Sequence, residues 1–131
     1  MARYAVIDVG TNSVKFHIGE RHADGTWTTV VDRAEVTRLG EGLEASGGAF
    51  TADAMQRTVA AISGMAAEAE RENAASQAAV GTMGVRTARN SGDLLSSVEQ
   101  RCGVRIEVIP GSEEARLAYL AVKTGLGLGA G

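Results

Sequence analysis

Apolar and polar positions alternate with a period of two over the first stretch of the chain, then shift to a helical period. "RYAVIDV", residues 3–9, reads as a strand. "SVKFHIGER", residues 13–21, puts Val14, Phe16 and Ile18 on one face and Lys15 and His17 on the other. Asp24-Gly25 marks a hairpin turn, and "TWTTVVDRAEVTR" supplies a third strand, with a bend expected near Asp32. The pattern predicts an antiparallel meander.

After a glycine-rich loop, "LGEGLEASGGAF", the period changes. Thr51 is placed to cap a helix running to about Asn73, whose buried stripe is Met55, Val59, Ile62, Met65, Ala66 and Ala69. "AAVGTMGV", residues 78–85, reads as a short buried strand. Asn90 or Ser91 then caps a helix carrying Leu94, Leu95 and Val98, and "RIEVIP", residues 105–110, is a last strand closed by Pro110. Ser112 caps a final helix, "EEARLAYLAV", with Leu117, Ala118, Ala121 and Val122 inward. The order is βββαβαβα. Strands separated by helices join in parallel through right-handed crossovers, so the expected fold is an α/β domain on a mixed five-stranded sheet.

Composition narrows the setting. The 131 residues suffice for one domain with a real core, and with only 4% aromatics that core is built of small aliphatic side chains. A net charge of −3, spread along the chain, argues against a nucleic-acid surface, which needs a basic patch, but leaves room for an anion held by a few local groups. One cysteine, Cys102, makes no internal disulfide and suggests a reducing compartment. No apolar run is long enough for a signal peptide or a membrane span, so a cytoplasmic protein is expected. "TGLGLGAG", residues 124–131, reads as a linker or a chain end.

Three polar clusters carry candidate chemistry. In "DVGTNS", Asp8 ends a strand, where a carboxylate can hold Mg²⁺ directly or through water. Gly10 allows a tight turn, and Thr11, Asn12 and Ser13 offer hydroxyl, amide and backbone donors, a composition suited to an anion-binding concavity. The same residues also suit a hairpin turn that satisfies its own backbone. In "GVRTARN", Arg86 and, more weakly, Arg89 stand where a guanidinium can fork onto phosphate oxygens; a surface arginine at a strand end is the plainer reading. In "PGSEEARLAYL", Glu113 and Glu114 open a helix, where acids complement the helix dipole. Glu114 shares a face with Leu117, Ala118 and Ala121; Glu113 lies with Arg116. The two histidines lack metal-site spacing, no histidine is placed to activate Cys102, and Ser13 has no visible relay.

These clusters in this order resemble the exopolyphosphatase and guanosine-pentaphosphate phosphohydrolase (Ppx/GppA) family. The stretches that carry the resemblance are "AVIDVGTNSVKFHIGE", "RLGEGL", "GTMGVRTARN" and "IEVIPGSEEARLAYLAV". The resemblance implies a ribonuclease-H-like domain of the sugar kinase, actin and heat-shock ATPase superfamily, the first of two such domains that hold substrate between them. It implies that residues 1–123 form that domain and 124–131 the linker or truncated start of the second, whose glycine-rich DxGGGS loop is not in this sequence. By position it assigns Asp8 to Mg²⁺, Gly10, Thr11, Asn12, Ser13 and Arg86 to phosphate, Glu114 to general-base catalysis and Arg38, in "RLGEGL", loosely to the cleft. The implied activity is release of terminal phosphate from polyphosphate or guanosine pentaphosphate, with the isolated domain inactive and open to homodimerisation through its uncovered lobe face. Two other readings stay open: an ATP-dependent kinase or ATPase of the same superfamily, and a phosphate-binding module without catalysis.

Overall fold

The structure, a computed structural model, describes residues 2–81 and 83–108. Five strands form one sheet: β1 (Ala2–Val9), β2 (Ser13–Arg21), β3 (Trp27–Val36), β4 (Ser76–Gly81) and β5 (Ile106–Val108). Their order is β3-β2-β1-β4-β5. β1, β2 and β3 pair antiparallel, while β4 and β5 run parallel to β1. Between β3 and β4 lies helix α1 (Ala52–Arg71); between β4 and β5 lie a single helical turn, α2 (Met83–Arg86), and helix α3 (Ser91–Cys102). The meander and the two parallel crossovers therefore match the expectation.

Alternation decides which face is covered. Ala5, Ile7 and Val9 of β1, Val14, Phe16 and Ile18 of β2, Ala79 of β4 and Ile106 of β5 point to one side. There they meet Val59, Ile62, Met65, Ala66 and Ala69 of α1 and Leu94 and Val98 of α3. This layer supplies most of the stability: losing a side chain such as Ile62, which is fully buried, costs roughly 2–5 kcal/mol in comparable cores. Thr51 caps α1, its hydroxyl accepting from the Ala54 amide at 3.1 Å.

Three local expectations change. The irregularity in β3 falls at Val30, where the register with β2 shifts between Ile18 and Gly19, rather than near Asp32. The apolar run read as a strand through Val85 ends at Gly81 and coils into α2, because a short apolar run fits one helical turn as well as a strand. Gly81 packs closely against β5 there: a Cβ would come within 3.2 Å of the Ile106 side chain. Asn90 stands at the start of α3 without capping it through its side chain. Its amide instead clamps Phe50, accepting from the Phe50 nitrogen at 2.8 Å and donating to the Phe50 oxygen at 2.9 Å. Ile109, Pro110, the expected final helix and the proposed boundary at residue 123 lie outside the described residues.

At the end of the sheet where β1 begins, Arg3 joins three elements. It donates to Glu20 of β2 at 2.8 Å and to the carboxylate of Glu72 at 2.7 Å, and it also meets the Glu72 carbonyl beyond the end of α1. The hydrogen bond from Arg3 holds the Glu20 carboxyl below its ordinary range, against a smaller opposing effect of burial. A depressed folded-state value stabilises the fold above the unfolded carboxylate pKa of about 4.3 and is lost as pH falls through the folded value. The expected outcome is an acid limb in the melting temperature, from about pH 5 downward, that is shallower in Glu20→Gln than in the parent. Thermal melts across that range check it, and superimposable limbs would remove Glu20 from the acid response.

Candidate functional site

The register brings several strand ends together. Val9 faces Val14 across the β1–β2 turn, Ser13 faces Val36 at the end of β3, Val9 faces Gly81, and Gly81 faces Val108. The polar turn, the exit of β3, the exit of β4 and the exit of β5 thus share one end of the sheet. In open α/β sheets this carboxyl end of the parallel strands is where ligands bind.

The turn itself is tight at Gly10, whose amide donates to the Ser13 carbonyl at 3.0 Å. A Cβ at Gly10 would lie 3.1 Å from that same oxygen, so a side chain there requires the Ser13 carbonyl to give by a few tenths of an ångström. Asp8 sits on the face opposite the helix-covered one, half-buried, with its Oδ1 shielded from solvent. Thr11 and Ser13 are half-buried and Asn12 is exposed.

A second segment crosses over the turn. After β3 the chain runs through Thr37, Arg38, Leu39 and Gly40. The amides of Thr37 and Arg38 donate to the Asn12 carbonyl at 3.1 and 2.9 Å, and the Gly40 amide donates to the Thr11 carbonyl at 2.8 Å. Leu39 is fully buried beneath the crossing, an anchor for it in the core. Arg38 adopts a left-handed backbone, φ 51°, uncommon for a residue with a side chain. Its guanidinium is mostly exposed, 3.7 Å from Glu41. The backbone therefore brings Arg38 against the 10–13 turn.

Arg86 takes a different neighbourhood. It closes α2 at this same end of the sheet, and its side chain is exposed. With Ser91 and Leu95 of α3 and residues 105–108 it lines a depression on the β5 side. Arg89 donates to the Ser46 carbonyl at 3.3 Å and so braces the glycine-rich loop. Glu113 and Glu114 lie outside the described residues. Cys102, at the end of α3, is half-buried with its Sγ 3.9 Å from the Val59 carbonyl; burial pushes its thiol pKa up and makes it a poor nucleophile.

One residue escaped the sequence reading. Arg57, in the second turn of α1, donates to the Thr37 carbonyl at 2.9 Å and reaches the Arg38 carbonyl and Glu41. An arginine on the polar face of a helix reads from sequence as a solvated charge; only the loop folded against it shows otherwise.

Among the described residues no group of three His, Cys, Asp or Glu side chains could hold a metal ion, and no helix is long and apolar enough to cross a membrane. Asp8 supplies a single carboxylate at this end of the sheet, a donor of the type Mg²⁺ takes when waters and substrate phosphates complete its shell.

A β3-β2-β1-β4-β5 sheet with helices on its core face and a polar hairpin at the carboxyl end is a ribonuclease-H-like domain of the actin-like class. The chain belongs to the Ppx/GppA phosphatase family, whose model matches residues 17–130. It is 35% identical over 129 residues to exopolyphosphatase 1 of Mycobacterium leprae, covering 98% of this chain and 38% of that protein. It is 39% identical over 128 residues to guanosine-5'-triphosphate,3'-diphosphate pyrophosphatase of Vibrio cholerae, covering 96% of this chain and 25% of that one. The crystal structure of the Aquifex aeolicus Ppx/GppA phosphatase superposes with a TM-score of 0.83 at 29% identity, over 96% of this chain and 41% of the other. The chain thus spans well under half the length of these relatives.

The geometry at Gly10 makes a direct prediction. Gly10→Ala pushes a methyl group against the Ser13 carbonyl and should cost about 1 kcal/mol or somewhat more, lowering the melting temperature by several degrees. The amide of residue 10 should exchange faster with solvent. Unchanged melting and unchanged protection would show that the turn absorbs the side chain.

Proposed function

We propose that this chain is the N-terminal, phosphate-binding part of a cytoplasmic hydrolase that releases terminal orthophosphate from inorganic polyphosphate, guanosine pentaphosphate or both. One observation carries the reading: a polar hairpin, Asp8 to Ser13, held at the carboxyl end of the sheet beside the exits of β3, β4 and β5. Family membership supports it, since relatives that match nearly the whole chain are named for polyphosphate or for guanosine-5'-triphosphate,3'-diphosphate.

Phosphoryl transfer needs charge neutralisation and in-line placement of the attacking water more than covalent chemistry. In this proposal the backbone amides and hydroxyls of residues 11–13 bind the phosphate oxygens and fix their orientation, and Gly10, whose amide is taken by the Ser13 carbonyl, shapes the turn that lets the phosphate approach. Arg86 adds a guanidinium from the β4 side, and Arg38 stands at the rim. Asp8 would hold Mg²⁺, whose chemistry is to neutralise phosphate charge. Glu114 follows Val108 by a few residues in the chain and is assigned to orient a water and take its proton. A carboxylate with a normal pKa of about 4.3 is already ionised at neutrality, so that role needs placement rather than a large shift. The opposite wall of the cleft is assigned to a second domain of a longer polypeptide.

Phosphate release from both substrates tests the proposal, measured on this chain and on a polypeptide extended to the length of its relatives, with and without Mg²⁺. The expected result is Mg²⁺-dependent release by the extended form without nucleotide consumption, and little or none by the short one. In the extended form Glu114→Gln should abolish turnover while polyphosphate binding persists. Release that requires ATP turnover would move the protein to a kinase or ATPase, and full activity in Glu114→Gln would remove that residue from the chemistry.

A further inference from the structure

We infer that Arg57 is a positioning residue that presets the anion-binding turn through the crossing segment, and that it does so by the forked geometry with which it delivers its charge. The inference rests on the phosphate reading above and deepens it. Arg57 Nε donates to the Thr37 carbonyl at 2.9 Å, and Nη2 lies 3.4 Å from the Arg38 carbonyl and 3.2 Å from Glu41 Oε1. The Thr37 carbonyl and the Arg38 amide belong to one peptide unit. That amide donates to the Asn12 carbonyl at 2.9 Å. The Asn12 carbonyl in turn shares its peptide unit with the Ser13 amide, one of the proposed phosphate donors. A continuous line therefore runs from a guanidinium, through two peptide planes, to the anion site. A second branch enters through Gly40, whose amide donates to the Thr11 carbonyl at 2.8 Å and so acts on the peptide that carries the Asn12 amide.

Each link has a physical consequence. A cation on a carbonyl polarises its peptide and strengthens the N–H on the other side, and chained hydrogen bonds reinforce one another. The fork also holds Arg38 in a left-handed backbone that a non-glycine residue leaves unless its surroundings fix it. Glu41 closes the arrangement by orienting the far side of the guanidinium. Lysine carries the same charge but is a point donor on a flexible stem, and it cannot reproduce the fork.

The test is an amide NMR titration of the chain with inorganic tripolyphosphate, combined with hydrogen exchange and melting. In the parent the amides of Thr11, Asn12 and Ser13 should shift saturably. Arg57→Lys should weaken tripolyphosphate binding by roughly tenfold, the size expected for losing one good charged hydrogen bond. The same variant should speed exchange at Thr37, Arg38 and Gly40. Methylguanidine added to Arg57→Ala should restore part of the affinity, which a purely structural role would not allow. Arg33→Lys, which loosens a different link from α1 to the sheet, through Glu68 at 2.7 Å, should leave affinity unchanged. Unchanged affinity or unchanged exchange in Arg57→Lys overturns the inference and leaves the phosphate reading standing. A parent chain whose turn amides do not respond to tripolyphosphate overturns the phosphate reading and the inference with it.

Discussion

β1 is hydrogen-bonded on both sides, antiparallel to β2 and parallel to β4, and the rest of the molecule depends on that double pairing. Its register fixes Val9 opposite both Val14 and Gly81. A slip of one residue would turn Ala5, Ile7 and Val9 out of the core and carry the polar turn to the wrong height. Because the core side of β1 is fully buried, such a slip is strongly penalised, and the hydrophobic layer sets the position of the 10–13 turn. The fold places its polar hairpin through apolar contacts made well away from it.

The crossing segment adds precision that packing alone does not give. Its amides hold the carbonyls of Thr11 and Asn12, so those two peptide units have their oxygens occupied and their orientation set before any ligand arrives. Donors fixed in advance cost no reorganisation on binding, and this is where backbone amides gain over mobile side chains. The left-handed Arg38 is the local cost. Strain of this kind persists only where the surroundings overdetermine it, and here a buried leucine, two backbone acceptors and the Arg57 fork meet within a few residues.

Much of this was legible in the sequence, and the exceptions share a cause. Period-two alternation in "SVKFHIGER" identified both faces of β2, and three-and-four spacing after Thr51 identified the buried side of α1. Both signals repeat over many residues, so single ambiguities average out. "AAVGTMGV" offered one short apolar run, which local pattern cannot divide between the strand β4 and the turn α2. Asn90 read as a cap because its type suits one, yet its side chain reaches back to Phe50 and Met55. Arg57 was invisible for the same reason: its partners come from a loop that precedes the helix, and no local pattern marks them. The composition of "DVGTNS" suited an anion turn and a self-satisfied hairpin alike, and nothing in it announced that the segment after β3 would lie across that turn.

A chain of net charge −3 is an unpromising partner for a polyanion, and the way the site is built answers the objection. Long-range attraction follows net charge and is screened within about 8–10 Å at physiological salt. Short-range recognition follows whichever dipoles face the ligand at contact distance. The proposed donors are mainly peptide amides, whose strength comes from orientation and from the groups polarising them. Glu41 lies at the rim, half-exposed, with its charge partly offset by Arg57 at 3.2 Å and Arg38 at 3.7 Å. A site of this kind reads phosphate by geometry more than by field. It would therefore discriminate an ordered phosphate chain from nucleic acid, whose affinity for proteins rests largely on a dense array of lysine and arginine contacts.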